Sequence, residues 1–252
     1  MDWTYTTEQK AFRAQVREWL KNNVPAERLQ SYDTREGFEQ HRQWEAKLAD
    51  AGYSAVTWPK DLGGSGCDLT EWLIFEEEYW AVDAPARVNQ NGILLLGSTL
   101  MEFGTPEQKA RFLPRMARCD DMWAQGWSEP NAGSDMAAIS SRAIRMGDKF
   151  ILNGQKIWST RAIFADWVFG LFRSDPTSSR HHGLSYILVP LNTPGITVRP
   201  IRAINGREHF AEIFFDDVEV PVENLLGAEG KGWHVAMATA GFERGLLLRS
   251  PA

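Results

Sequence analysis

The order of apolar and polar positions divides the chain into three stretches. Through residue 120 the apolar residues recur at helical spacing. From Thr6, "TTEQKAFRAQVREWL" sets Phe12, Val16, Trp19 and Leu20 on one face; Thr6 and Gln9 form a capping box, and Asn22, Asn23 and Pro25 end the segment. The same spacing predicts helices from about Glu36 to Asp50, from Thr70 to Trp80 and from Ile93 to Met101. A fifth begins in "GTPEQKARFLPRM", with Thr105 as cap, Pro106 at the first helical position and Gln108 closing the box. After Asp121 the period shortens. DKFILNGQKIW, ADWVFGLFR, GLSYILVP, GITVRPI and AEIFFDDVEVP are β-branched and aromatic runs broken by Gly, Pro, Asn and Asp, and they predict a compact β-domain of roughly 100 residues. At "LLGAEGKGW" the chain turns, and Trp233 to Leu248 returns to helical spacing. Trp233, Val235, Met237, Phe242, Leu246 and Leu247 are dense enough there to call for packing partners outside this sequence. The pattern therefore predicts a multidomain α+β chain: a helical domain over 1–120, a middle β-domain over 121–224, and the start of a C-terminal helical domain over 225–252.

Composition narrows the chemistry. With 43% hydrophobic and 24% charged residues among 252, the chain falls in the ordinary globular range. A net charge of -6, without clustered Lys and Arg, argues against nucleic acid and against an anionic membrane surface as partners. Two cysteines, Cys67 and Cys119, do not make a disulfide framework and fit a reducing compartment. The N-terminal MDWTYTTEQKAF has neither the basic nor the apolar region of a signal peptide, and no apolar run approaches the ~18 residues of a membrane span. The expected location is cytoplasmic. Glu76, Glu77 and Glu78 read as a solvated acidic face, and the "RHHG" at 180–183 as an ordinary loop, so no metal site is expected. No G-x-G-x-x-G follows a strand, and "GAEGKGW" lacks the spacing of a phosphate-binding loop.

Two stretches carry the candidate chemistry. "WAQGWSEPNAGSD", residues 123–135, is a strand that breaks into a tight polar loop. Such a loop suits a ligand with an edge of hydrogen-bonding atoms and a negative group beyond it; it equally suits a hairpin loop whose Ser and Asp cap local turns. "NGQKIWST", residues 153–160, opens with an Asn-Gly turn and runs along a strand that puts Trp158 and Thr160 on one face. An aromatic plane beside a hydroxyl suits a flat heteroaromatic cofactor, although a single tryptophan is more often a core residue.

These two motifs, about two dozen residues apart, resemble the flavin-binding signatures of the acyl-CoA dehydrogenase family. The resemblance continues through "WPKDLGGSG", "FGTPEQKARFLPRM", "FFDDVEVP" and "LLGAEGKGW" and covers essentially the whole chain. It implies an N-terminal helical domain, a middle β-barrel-like domain and a C-terminal four-helix bundle, with FAD between the last two; the chain then stops inside the first bundle helix. By resemblance, Gln125, Gly126, Trp127 and Ser128 lie along the flavin edge, where backbone groups and the Ser128 hydroxyl bond the pyrimidine ring. Trp158 packs on the isoalloxazine with Ser159 beside it, and Thr160 donates to N5. Ser134 lies near the CoA or the cofactor pyrophosphate, and Arg244 helps hold the acyl-CoA. The family commonly has Thr-Asn-Gly where this chain has Thr160-Arg161-Ala162, which puts a charge near the flavin.

The implied reaction is α,β-dehydrogenation of an acyl-CoA to the trans-2-enoyl-CoA, with electrons passed to an electron-transferring flavoprotein and the protein a homo- or hetero-oligomer, dimer or tetramer. It needs a carboxylate that takes the α-proton. In most members this base lies late in the bundle; in some it is on the first bundle helix, where "AGFERGLLL" offers Glu243 amid apolar residues whose burial raises a carboxylate pKa. A surface pairing of Glu243 with Arg244 or Arg249 is the competing reading. Two alternatives to the whole assignment stand beside it: flavin-dependent oxidation or hydroxylation by O2 on the same fold, and a non-catalytic subunit or inactive fragment.

Overall fold

The protein is described by a computed structural model covering residues 4–245. Packing separates two units: residues up to Val88 with Ala117–Cys119, and Asn89–Met116 with the chain from Asp120 onward. The helical residues 89–116 thus group with the sheet, a division that differs from the linear order of periods.

In the first unit, α1 (Thr7–Asn23), α2 (Arg35–Asp50) and α3 (Leu69–Ala81) close on a core of Val16, Leu20, Trp44, Leu48, Trp72, Phe75 and Tyr79. The α1 capping box forms as the sequence predicts, the Gln9 amide donating to Thr6 Oγ1 at 3.2 Å and the Thr6 amide to Gln9 Oε1 at 3.0 Å. The third helix starts one residue early because Asp68 and Glu71 make a second box. The acidic run on α3 is not the solvated face expected. Glu78 is buried and accepts from Arg17 Nε and Nη2 at 2.8 and 2.7 Å, while Glu76 accepts from the Trp72 and Trp80 indoles. Arg13 and Arg17, one turn apart on α1, supply the charge that allows this burial; Arg13 also pairs with Glu77.

The second unit begins with a π-helical turn at Asn91–Leu96 that runs into α4 (Gly97–Phe103), then α5 (Pro106–Ala117) behind the expected Thr105–Gln108 box. Eight strands follow: β1 (Trp123–Gly126), β2 (Arg142–Met146), β3 (Lys149–Thr160), β4 (Trp167–Arg173), β5 (Leu184–Pro190), β6 (Ile196–Ile201), β7 (Phe210–Pro221) and β8 (Leu225–Leu226). They form one mixed sheet in the order β6-β7-β3-β2-β4-β5-β8, with β1 parallel to β4. Each predicted run is a strand; β2, with only two strongly apolar side chains, and the two-residue β8 carry no such signal. Its core is Phe150, Leu152, Val168, Phe172, Ile213 and Val218 with their neighbours. Asn153-Gly154 is not a turn. The β2–β3 hairpin turns instead at Gly147-Asp148, and Asn153 lies mid-strand with its amide donating to Asp217 at 2.9 Å. Gly154 is required there by a φ of +143° and by Ser141, whose Oγ lies 2.3 Å from where a Cβ would sit.

The last helix, α6 (Gly232–Gly245), packs on β5, the π-helical turn and α4 through Val235, Ala236 and Thr239, and Thr239 Oγ1 lies 2.8 Å from Thr99 Oγ1. One face is covered, whereas Met237 on the other is exposed. Leu246, Leu247 and Arg249 lie outside the described residues.

Candidate functional site

The site is made by a break in strand alternation. Along β3 the inward side chains are Phe150, Leu152 and Lys156, but the next buried residue is Ser159, three positions on. The register explains the change: Lys156 opposes Ile213 and Ser159 opposes Ala211, so β3 carries one extra residue, a bulge. Trp158 sits in it with φ +60°. The residue is 56% exposed, and its ring meets Phe210 edge-on at 5.9 Å. A bulky side chain in the left-handed region is strained by about 1–3 kcal/mol, and such strain concentrates at ligand sites. Trp158 is therefore not the core residue that its type alone suggests. Arg161 is also left-handed, at φ +55°, where the resemblance has Asn, a residue that tolerates this conformation better.

Across from the bulge, the Ser128 carbonyl accepts from the Ile157 amide at 2.9 Å. This bond brings the end of β1 to the bulge and closes a cavity of about 140 Å³, lined by Gln125, Trp127, Ser128, Trp158 and Thr160 from the two motifs and by Met136 and Ile157, which the motifs did not single out. Trp158 and Thr160 do line one cavity: alternation about the buried Ser159 puts them on one face, and the bulge turns that face outward. The buried Trp127 Nε1 has no partner among the described residues.

The remaining sequence candidates stand apart. Gly126 is buried in β1, where a Cβ would come within 2.7 Å of Val168 Cγ2. Ser159 points inward with its hydroxyl unpartnered among the described residues. Ser134 is exposed on the loop after β1, and Glu243 and Arg244 are exposed near the end of α6. The burial expected around Glu243 is absent because no described element covers that side of the helix end.

Beneath the cavity lies a buried ion pair that the motifs did not reveal. Lys156 is fully buried, and its ammonium donates to Glu129 Oε1 at 2.8 Å, Leu171 O at 2.6 Å and Trp127 O at 3.3 Å. Glu129 also accepts from the Ser140 amide and hydroxyl at 2.7 and 2.9 Å and from the Ser141 amide at 2.9 Å. Burial works against its ionisation, but Lys156 and these donors outweigh it and hold the carboxyl at about 2. Burial brings the Lys156 ammonium down to about 8 against the pull of Glu129, so both groups are charged at neutral pH. The warning in the sequence is a lysine on the inward phase of an apolar strand, which demands a buried acid.

A larger cavity of about 640 Å³ lies between α5 and the ends of β4 and β5. Its charges are engaged with one another and with the backbone: Arg115 binds Asp121 through two bonds of 2.7 and 2.8 Å, and Asp166 accepts from the Met122 amide. The smaller cavity, with its exposed aromatic face and hydroxyls, is the better ligand site.

Comparisons with known proteins bear on the family of the chain. Residues 6–120 match the family model described as acyl-CoA dehydrogenase, N-terminal domain, and residues 124–218 match the one described as acyl-CoA dehydrogenase, middle domain. The chain is 46% identical over 241 residues to acyl-CoA dehydrogenase IpdE1 of Mycobacterium tuberculosis, using 93% of this chain and 63% of that protein. To the protein of the same name from Mycolicibacterium smegmatis it is 43% identical, using 95% of this chain and 65% of that one. Among solved structures, the Tcur3481-Tcur3483 steroid ACAD aligns with a TM-score of 0.84 at 31% identity, over 99% of this chain and 65% of that chain. The ChsE4-ChsE5 complex from Mycobacterium tuberculosis aligns at 0.82 and 32% identity, over 96% of this chain and 62% of that chain. The chain thus spans just under two thirds of the length of these relatives.

Proposed function

The chain belongs to the acyl-CoA dehydrogenase family, and from that premise we propose that its β1–β3 cavity holds the flavin of FAD and serves α,β-dehydrogenation of an acyl-CoA. The observation that carries the reading is the β3 bulge, which holds the Trp158 ring out of the core beside the Thr160 and Ser128 side chains. The cavity fits the group in kind: an aromatic face from Trp158 and the hydroxyl-bearing residues Ser128 and Thr160 line it. FAD, when bound, supplies the acceptor for the hydride that leaves Cβ of the substrate. The chain's own residues bind and orient. Trp158 covers one face of the ring, Ser128 and Gln125 take its hydrogen-bonding edge, and Thr160 donates at N5. Ser134 and Arg244 hold the acyl-CoA, and Glu243 takes the α-proton. Electrons leave to an electron-transferring flavoprotein, and the setting is cytoplasmic; among the described residues no helix is long and apolar enough to cross a membrane.

The exposure of Glu243 favours a second, related reading: the chain is one component of a hetero-oligomer in which another subunit completes the acyl-CoA site. Two of the similar structures carry paired component names, which supports an assembly of unlike subunits.

The test is titration of the purified chain with FAD, followed by flavin absorbance and tryptophan quenching. Stoichiometric binding that Trp158→Ala weakens supports the site, and binding unaffected by Trp158→Ala overturns it. In a chain of the relatives' length, Glu243→Gln lowers the rate of flavin reduction by acyl-CoA by about 10²–10⁴ if Glu243 is the base, and leaves it within a few-fold if the base lies elsewhere.

A further inference from the structure

We infer that the buried Glu129–Lys156 pair is a positioning device, which sets the gap between the Ser128 wall and the Trp158 wall of the cavity. As a statement about FAD this rests on the reading above; as a statement about the cavity it rests on geometry alone. Lys156 immediately precedes Ile157 and Trp158, and Glu129 immediately follows Ser128, so each partner adjoins the lining residues of one wall. The three donors of the ammonium are all used, on Trp127 O, Glu129 Oε1 and Leu171 O. It therefore joins the residue on either side of Ser128 to the floor of the sheet. The carboxylate works on the loop itself: Oε1 takes the Ser141 amide, and Oε2 takes the Ser140 amide and hydroxyl. Both ends of the 129–141 loop are thereby tied to one point, and Met136, a third wall, is carried between them.

Hydrophobic residues could fill the same volume without charges, and buried ion pairs are often neutral or unfavourable beside such replacements. What apolar packing does not supply is direction. Six polar contacts, from the 127–141 segment, β3 and β4, meet at one carboxylate–ammonium centre. The bulge needs that direction, because the ladder is interrupted between Lys156 and Ser159 and leaves Trp158 without regular pairing.

Three variants of the present chain separate positioning from stability: Lys156→Met, Glu129→Gln, and the two together. Each single change strands a buried group and lowers the urea midpoint; the double change removes both charges and regains most of it. Positioning predicts that the double variant nevertheless exchanges its 128–141 amides at least about ten-fold faster than the parent, measured without ligand, and binds FAD at least about ten-fold more weakly. If loop protection and FAD affinity recover together with the midpoint, the pair is merely structural and the inference falls. If the parent fails to bind FAD while the loop loosens as expected, the flavin reading falls and the positioning role stands. If the parent binds FAD and the double variant matches it in both readouts, the reverse holds.

Discussion

Glu129 and Glu243 belong to the same packed unit, and both lie near chemistry proposed for the chain, yet their surroundings are opposite. Glu129 is buried, bonded through both oxygens and paired with a fully buried lysine. Glu243 stands exposed near the end of α6. A carboxylate pinned by four donors is held ionised and cannot serve as a base of useful strength, whereas an exposed one keeps its oxygens open to whatever covers it. The first is thus suited to holding shape. The second is suited to chemistry only in a setting that adds a cover.

The largest effect that separates them is on stability. Removing one partner of the buried pair, by Lys156→Met or Glu129→Gln, leaves the other unsatisfied and costs about 3–5 kcal/mol. Urea unfolding at neutral pH measures it. A loss below about 1 kcal/mol in both single variants contradicts the buried, bonded geometry.

Acid gives a related and slightly smaller effect. The Glu129 carboxyl is held at about 2 against an ordinary 4.5, so the stability it contributes is complete above 4.5 and disappears as pH falls toward 2. That difference corresponds to about 3 kcal/mol. The unfolding free energy of Glu129→Gln should therefore fall less steeply than the parent's between these two values. Parallel curves would mean that Glu129 titrates ordinarily.

The cavity walls come next in size. Trp158→Ala removes an exposed ring, which changes stability little but weakens FAD binding by about 1 kcal/mol, a several-fold rise in the dissociation constant. Thr160→Val should leave FAD bound and slow only its reduction in a chain of the relatives' length. Loss of FAD in Thr160→Val with full retention in Trp158→Ala would invert the two roles.

The two carboxylates also mark how far the sequence could be read. Helix starts were legible because capping boxes are local: Thr6 with Gln9 and Thr105 with Gln108 lie where the pattern put them. Strands were legible wherever a run was long and strongly apolar; β2 was not because it is weakly apolar, and β8 was not because it has only two residues. The cavity residues Gln125, Trp127, Ser128, Trp158 and Thr160 came from motifs, and the structure gathers them. The bulge that turns Trp158 outward was hidden, since alternation alone gives the same face without it. Glu129 was read as one more polar loop residue because its partner lies 27 positions away. Glu78 shows the same limit: its burial depends on Arg13 and Arg17 of another helix. Local rules find elements, and charges buried by distant partners escape them.

The smallest effect concerns Glu243 in the chain as it stands. Its side chain is exposed, so Glu243→Gln deletes no buried charge. Surface substitutions of this kind usually change stability by no more than about 0.5 kcal/mol. The variant should match the parent in urea midpoint and in FAD affinity, while Glu129→Gln departs in both. The same substitution becomes informative when the acyl-CoA site is complete, whether through a longer chain or a second subunit. There, Glu243→Gln lowers the rate of flavin reduction by acyl-CoA by about 10²–10⁴ if Glu243 is the base. A stability loss above about 1 kcal/mol in the isolated chain would mean that Glu243 is already engaged in folding, and its assignment as the base would lose its ground.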